Sequence, residues 1–143
     1  MAPSPYQSYK TADVATADRG KLVIMIYDHC LKWIRKSEEE LAGGNLEKMA
    51  KAIQRAQAGL TELMCALDMD KGGDIAKNLF ELYDFYSRHL TLAIKDRSSK
   101  HLQDVLAMMS SLREAWLIAI ENVRRDDRSS LSGKTNGQLS LVS

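Results

Sequence analysis

Between Arg19 and Arg125 the apolar positions recur three and four residues apart, in runs separated by short polar or glycine-containing breaks. That period belongs to amphipathic helices, which return to one face every 3.6 residues. The first run predicts a helix over Arg19 to Leu41. Asp18 is its expected N-cap, because a carboxylate there accepts orphan N–H groups and suits the positive helix end. Ala42-Gly43-Gly44 ends the run, and Asn45 opens a second helix to Leu67. Its stripe is Met49, Ile53, Ala56, Leu60, Leu63 and Leu67, alternating four and three as a bundle seam does. Asp68 to Gly73 breaks the pattern. A third helix is expected over Asp74 to Lys95, with the stripe Ile75, Leu79, Leu82, Tyr86, Leu90 and Ala93. Ser98 or Ser99 caps a fourth to Arg125, with the stripe Leu102, Val105, Met109, Leu112, Trp116, Ala119 and Val123. Period-two alternation is sustained nowhere, so no strands are expected.

Short connections force consecutive helices to be antiparallel neighbours. The expected fold is therefore all-α, an antiparallel up-down-up-down four-helix bundle over residues 18–125. A polar leader, residues 1–17, precedes it. Residues 126–143, rich in Ser, Gly and Asn, read as a disordered tail.

Composition narrows the function classes. The 143 residues fit one domain, and 20 basic against 19 acidic side chains leave no general grip on nucleic acid or an anionic membrane. The longest apolar run, Leu22 to Tyr27, is far short of the roughly 20 residues a membrane span needs, so no direct membrane insertion is expected. The opening residues lack a signal-peptide core, and the two cysteines cannot form a multi-bridge framework; both point to the cytoplasm.

Candidate chemistry is sparse. A carboxylate-bridged di-iron bundle needs Glu-x-x-His on two helices, but Ile26, Tyr86 and Ser98 precede His29, His89 and His101 by three. The histidines are read as surface or interhelix polar groups, with no metal site expected. Cys30 and Cys65 fall on or near apolar stripes and are read as small core thiols. Gly133-Lys134-Thr135 lacks the first glycine of a phosphate loop, since Arg128 stands there. Glu38-Glu39-Glu40 is read as a solvated face pairing with Arg35 and Lys36. No catalytic residues, no cofactor and no enzyme activity are expected, which leaves a binding role.

The helices carry more apolar surface than one core needs. The first is apolar over roughly 200° at 100° per residue, Leu22 and Ile26 included. On the second, Ala52, Gly59 and Ala66 repeat by seven beside the stripe. Phe85 and Leu92 do so on the third, away from its expected stripe, and Met108 and Ala115 on the fourth, with Ile118 opposite the core. These ten positions are the expected partner-binding grooves, of the helix-in-groove kind. Tyr6 and Tyr9 are one helical turn apart in the leader and are read as a removable lid.

Several segments resemble the flagellar secretion chaperone family that holds flagellin, FliS. They are Pro5-Tyr6-Gln7-Ser8-Tyr9 with Val14-Ala15-Thr16-Ala17, and Lys21-Leu22-Val23-Ile24-Met25-Ile26-Tyr27-Asp28. Further on come Lys51-Ala52-Ile53-Gln54-Arg55-Ala56-Gln57, Gly72-Gly73-Asp74-Ile75-Ala76-Lys77-Asn78-Leu79, Leu82-Tyr83-Asp84-Phe85-Tyr86 and Ala115-Trp116. The order and spacing of these pieces across residues 5–120 carry the resemblance. Asp18-Arg19-Gly20 departs from the family's usual Ser-Pro-Glu start, and Gly59 stands where a large aliphatic residue is common. The resemblance implies a cytosolic, ATP-independent chaperone that binds the disordered C-terminal segment of flagellin and blocks premature polymerisation. With client bound, it would engage the flagellar export gate. A weak homodimer is compatible with the same surfaces. So is the alternative of a self-associating helical adaptor without a disordered client; a metal or redox enzyme ranks last.

Overall fold

The computed structural model describes residues 19–129. Tyr6, Tyr9 and the Asp18 cap lie outside the described residues. Four helices form: α1 (Arg19–Ala42), α2 (Leu46–Ala66), α3 (Met69–Asp96) and α4 (Ser99–Ser129). α1 and α3 each pack against both α2 and α4. Cross-helix pairs run in opposite directions. Along α1 and α4, Ser99 Oγ donates to Glu38 Oε2 at 3.0 Å, while Arg113 meets Asp28 with Nε on Oδ1 at 2.6 Å and Nη2 on Oδ2 at 3.3 Å. This is the arrangement an up-down-up-down bundle requires.

Local chemistry explains the element ends. Asp68 Oδ1 accepts from the N–H of Asp70 at 3.1 Å and of Lys71 at 2.9 Å, capping a helical turn inside the expected break. Gly73, at φ 54° and ψ −133°, then interrupts α3 in a conformation that a side chain resists, and the helix resumes toward Ile75. Ser98 is the cap of α4, its Oγ accepting from His101 N–H at 3.1 Å. Asn45 stands at the N-cap of α2 but its side chain makes no capping bond. α4 continues to Ser129, past the Arg125 end expected from the pattern.

The core follows the α2 stripe as expected: Met49, Ile53, Ala56, Leu60, Leu63 and Leu67 are all buried. On α3 the buried arc is Ala76, Leu79, Tyr83, Tyr86, Leu90 and Ala93. Leu82 and Ile75, expected in the core, are instead 39% and 59% exposed. A hydroxyl cluster decides this choice. Tyr27 and Tyr83, from helices on opposite corners of the bundle, share a 2.7 Å hydrogen bond, and Trp116 Nε1 donates to the Tyr27 oxygen at 3.0 Å. Buried aromatic hydroxyls need partners, and Tyr83, unlike Leu82, brings one. On α4, Ile120 is buried, whereas Leu112 and Ala119 are only partly so.

Candidate partner-binding surface

Leu22 and Ile26 are not offered to a partner: both belong to the buried cluster with Val23, Tyr27 and Ile34. The wide apolar face of α1 is consumed by packing between α2 and α4. Ala52 and Gly59 are buried as well. The small-residue row does admit a close helix, but that helix is α1 of the same bundle. A Cβ placed on Gly59 would lie 2.5 Å from Cys30 Sγ and 2.9 Å from His29 Cδ2. The approach lets His29 Nε2 bond the Arg55 carbonyl at 2.9 Å and Cys30 Sγ donate to the Ala56 carbonyl at 3.5 Å. Burial, followed by the nearby Lys32 and Arg55 charges, lowers the affinity of His29 for a proton. Burial pushes the Cys30 thiol up to about 12, so it stays protonated and inert. Ala66 is half-buried and packed against the core. Cys65, expected inside, is exposed. Glu38 is tied to Ser99, while Lys36 pairs with Glu39 at 3.6 Å and Glu40 at 3.3 Å.

The remaining candidates cluster differently. Phe85 and Leu92 are 40% and 42% exposed, and Leu82 and Ile75 extend their row along α3. Steps of 100° place Leu82, Phe85 and Leu92 to one side of the buried arc. That side faces α4: Phe85 stacks on His89 at 5.3 Å, and His89 meets His101 of α4 edge-on at 4.5 Å. On α4, Met108 and Ala115 share the α3-facing side with His101. Met108 and Leu112 are half-buried against the core, and Ala115 is exposed. Together these residues flank a furrow between α3 and α4 with apolar walls. Ile118 is 62% exposed, one step further toward solvent on α4. Phe80, 42% exposed on the α2 side of α3, adds a large apolar group that sequence reasoning passed over. Its signal was present, since apolar residues on α3 occupy more of the circumference than one core arc can bury.

Among the described residues, no helix is long and apolar enough to cross a membrane. The described residues thus form an all-helical bundle with partly exposed apolar side chains along the α3–α4 hairpin. A family model described as "Flagellar protein FliS" matches residues 2–123, and the chain belongs to that family. Among curated relatives, a "Flagellar secretion chaperone FliS" of Bacillus subtilis (strain 168) is 28% identical over 123 residues, covering 86% of this chain and 91% of the relative. The protein of the same name from Salmonella typhimurium (strain LT2) is 32% identical over 107 residues, covering 72% and 77%. A solved structure described as "Crystal structure of flagellar chaperone from bacteria" superposes with a TM-score of 0.69 at 27% identity, covering 82% of this chain and 95% of that one.

Proposed function

We propose that this FliS-family chain is a secretion chaperone for flagellin, acting in the cytoplasm. The observation that carries the reading is the partly exposed apolar row of α3, Leu82, Phe85 and Leu92, on the side of that helix turned toward α4. Such a row is costly to leave wet and fits the apolar face of an amphipathic client segment. The client is the disordered C-terminal segment of flagellin, which folds into short helices as it docks. Ordering it costs about 2–5 kcal/mol of the gross interaction energy, which apolar burial along the furrow offsets. Covering that segment blocks premature polymerisation and keeps the client fit for the flagellar export gate. Residues 1–17, with Tyr6 and Tyr9, compete with the client for apolar surface as a lid.

Isothermal titration with the flagellin C-terminal peptide, alongside circular dichroism, tests the proposal. Binding with a gain in helicity is expected. No heat and no new helicity at high micromolar peptide would refute it, and concentration-dependent self-association alone would favour the adaptor reading.

A further inference from the structure

Between Phe85 and Leu92 the row meets a cluster whose histidines the sequence pattern reads only as polar groups, with no metal site expected. His89 of α3 and His101 and Asp104 of α4 each bring a ligand atom to one spot, all within 4.8 Å of one another. His101 and Asp104 are three apart on one helix and so point the same way, and the antiparallel hairpin sets His89 opposite them. His89 Nε2 is already 3.8 Å from Asp104 Oδ2. The side chains are partly shielded, at 18% exposure for His89, 27% for His101 and 41% for Asp104. Two further groups touch the rings, and the exposed Asp96 would give up its contact as His101 turns toward an ion. Phe85 stacks on His89 at 5.3 Å, and Asp96 Oδ2 lies 3.3 Å from His101 Nε2.

We propose that His89, His101 and Asp104 form a binding site for a zinc-type divalent transition-metal ion, with solvent in the fourth position. Two imidazoles and one carboxylate suit such an ion, whereas magnesium and calcium prefer sets made wholly of oxygen. Tetrahedral bonds of about 2.0–2.2 Å place ligand atoms roughly 3.4 Å apart. The cluster must therefore close by about 1.4 Å from its widest 4.8 Å separation. Rotation of the exposed Asp104 carboxylate and the half-exposed His101 ring can supply this without moving the helices. Asp104 also exchanges its present partner, Lys100 Nζ at 3.3 Å, for the ion; Lys100 is 80% exposed and free to swing away. Coordination would clamp the end of the α3–α4 hairpin beside Phe85. The site stands independently of the flagellin reading.

The test is a cobalt(II) titration of the full-length, untagged chain, read by the visible absorption of tetrahedral cobalt and followed by displacement with zinc(II). The expected result is saturable binding at one ion per chain, unaffected by excess magnesium. His89→Gln, His101→Gln and Asp104→Asn should each weaken binding by at least about 100-fold, while circular dichroism shows the helices intact. Cys65→Ser should leave binding unchanged. Absence of the cobalt band in the parent chain overturns the proposal. So does a band that survives in the His89→Gln/His101→Gln double variant. The readout is metal spectroscopy, so either failure leaves the client-binding proposal standing.

Discussion

Replacing Gly59 by alanine tests whether the α1–α2 contact is as tight as the structure makes it. Two effects oppose each other. Alanine in a helix interior is better than glycine by about 0.8–1.0 kcal/mol. The added Cβ, however, falls 2.5 Å from Cys30 Sγ and 2.9 Å from His29 Cδ2, closer than real contacts allow. His29 is only part-buried and can turn, at the expense of its bond to the Arg55 carbonyl. Cys30 is fully buried, so relief there requires α1 to shift. Overpacking of this kind costs typically 1–3 kcal/mol, and the buried sulfur puts this case in the upper half. The net expectation for Gly59→Ala is destabilisation by about 1–2 kcal/mol, or roughly 3–8 °C in melting temperature. Cys30→Ala removes the obstructing sulfur and by itself costs about 1 kcal/mol of buried contact. In that background Gly59→Ala should be neutral or stabilising, because the new methyl enters the space the sulfur leaves. Urea unfolding followed by circular dichroism gives all four corners of this double-mutant cycle, with m-values expected to match. Additive effects of the two substitutions, or a Gly59→Ala protein more stable than the parent, would refute the packing argument.

Leu82→Ala and Phe85→Ala, at positions 39% and 40% exposed, should each cost only about 1–2 kcal/mol of stability, yet weaken flagellin-peptide binding roughly tenfold or more. Leu90→Ala, at a fully buried position, should cost about 2–5 kcal/mol; thermal melts and titration calorimetry on the three variants separate the two kinds of residue. Tyr27→Phe strands the Trp116 N–H and the Tyr83 hydroxyl in the core and should cost about 1–3 kcal/mol in urea unfolding. Burial pushes the Tyr83 hydroxyl from 10.0 up to about 12, so the unfolded chain releases this proton first as pH rises. The contribution is intact below pH 10.0 and is lost progressively between 10.0 and about 12, a fall that stability measurements across that range should show and that Tyr83→Phe should diminish.

How much of this was legible beforehand differs from helix to helix. The helix number, the short turns and the α2 core stripe follow from the sequence. On α2, apolar groups occupy a narrow arc flanked by Gln54, Arg55, Thr61 and Glu62, which leaves one direction for the core. The pairing of helices follows too, since short connections permit little else. α3 is ambiguous by itself. A seam through Ile75 and Leu82 keeps the same three-and-four spacing as one through Ala76 and Tyr83. Only the meeting of Tyr83 with Tyr27 and Trp116 selects between them, because burying those hydroxyls and the indole N–H requires all three helices at once. The selection turns Leu82 outward and creates the furrow beside Phe85. Likewise, seven-residue spacing marks Ala52 and Gly59 as a place of close approach. It cannot say whether the approaching helix is α1 or a partner; that depends on how much of α1 the bundle encloses. The cluster of His89, His101 and Asp104 depends on the register of two antiparallel helices. Periodicity within each helix carries no information about that register, and packing at the Ser98 corner determines it.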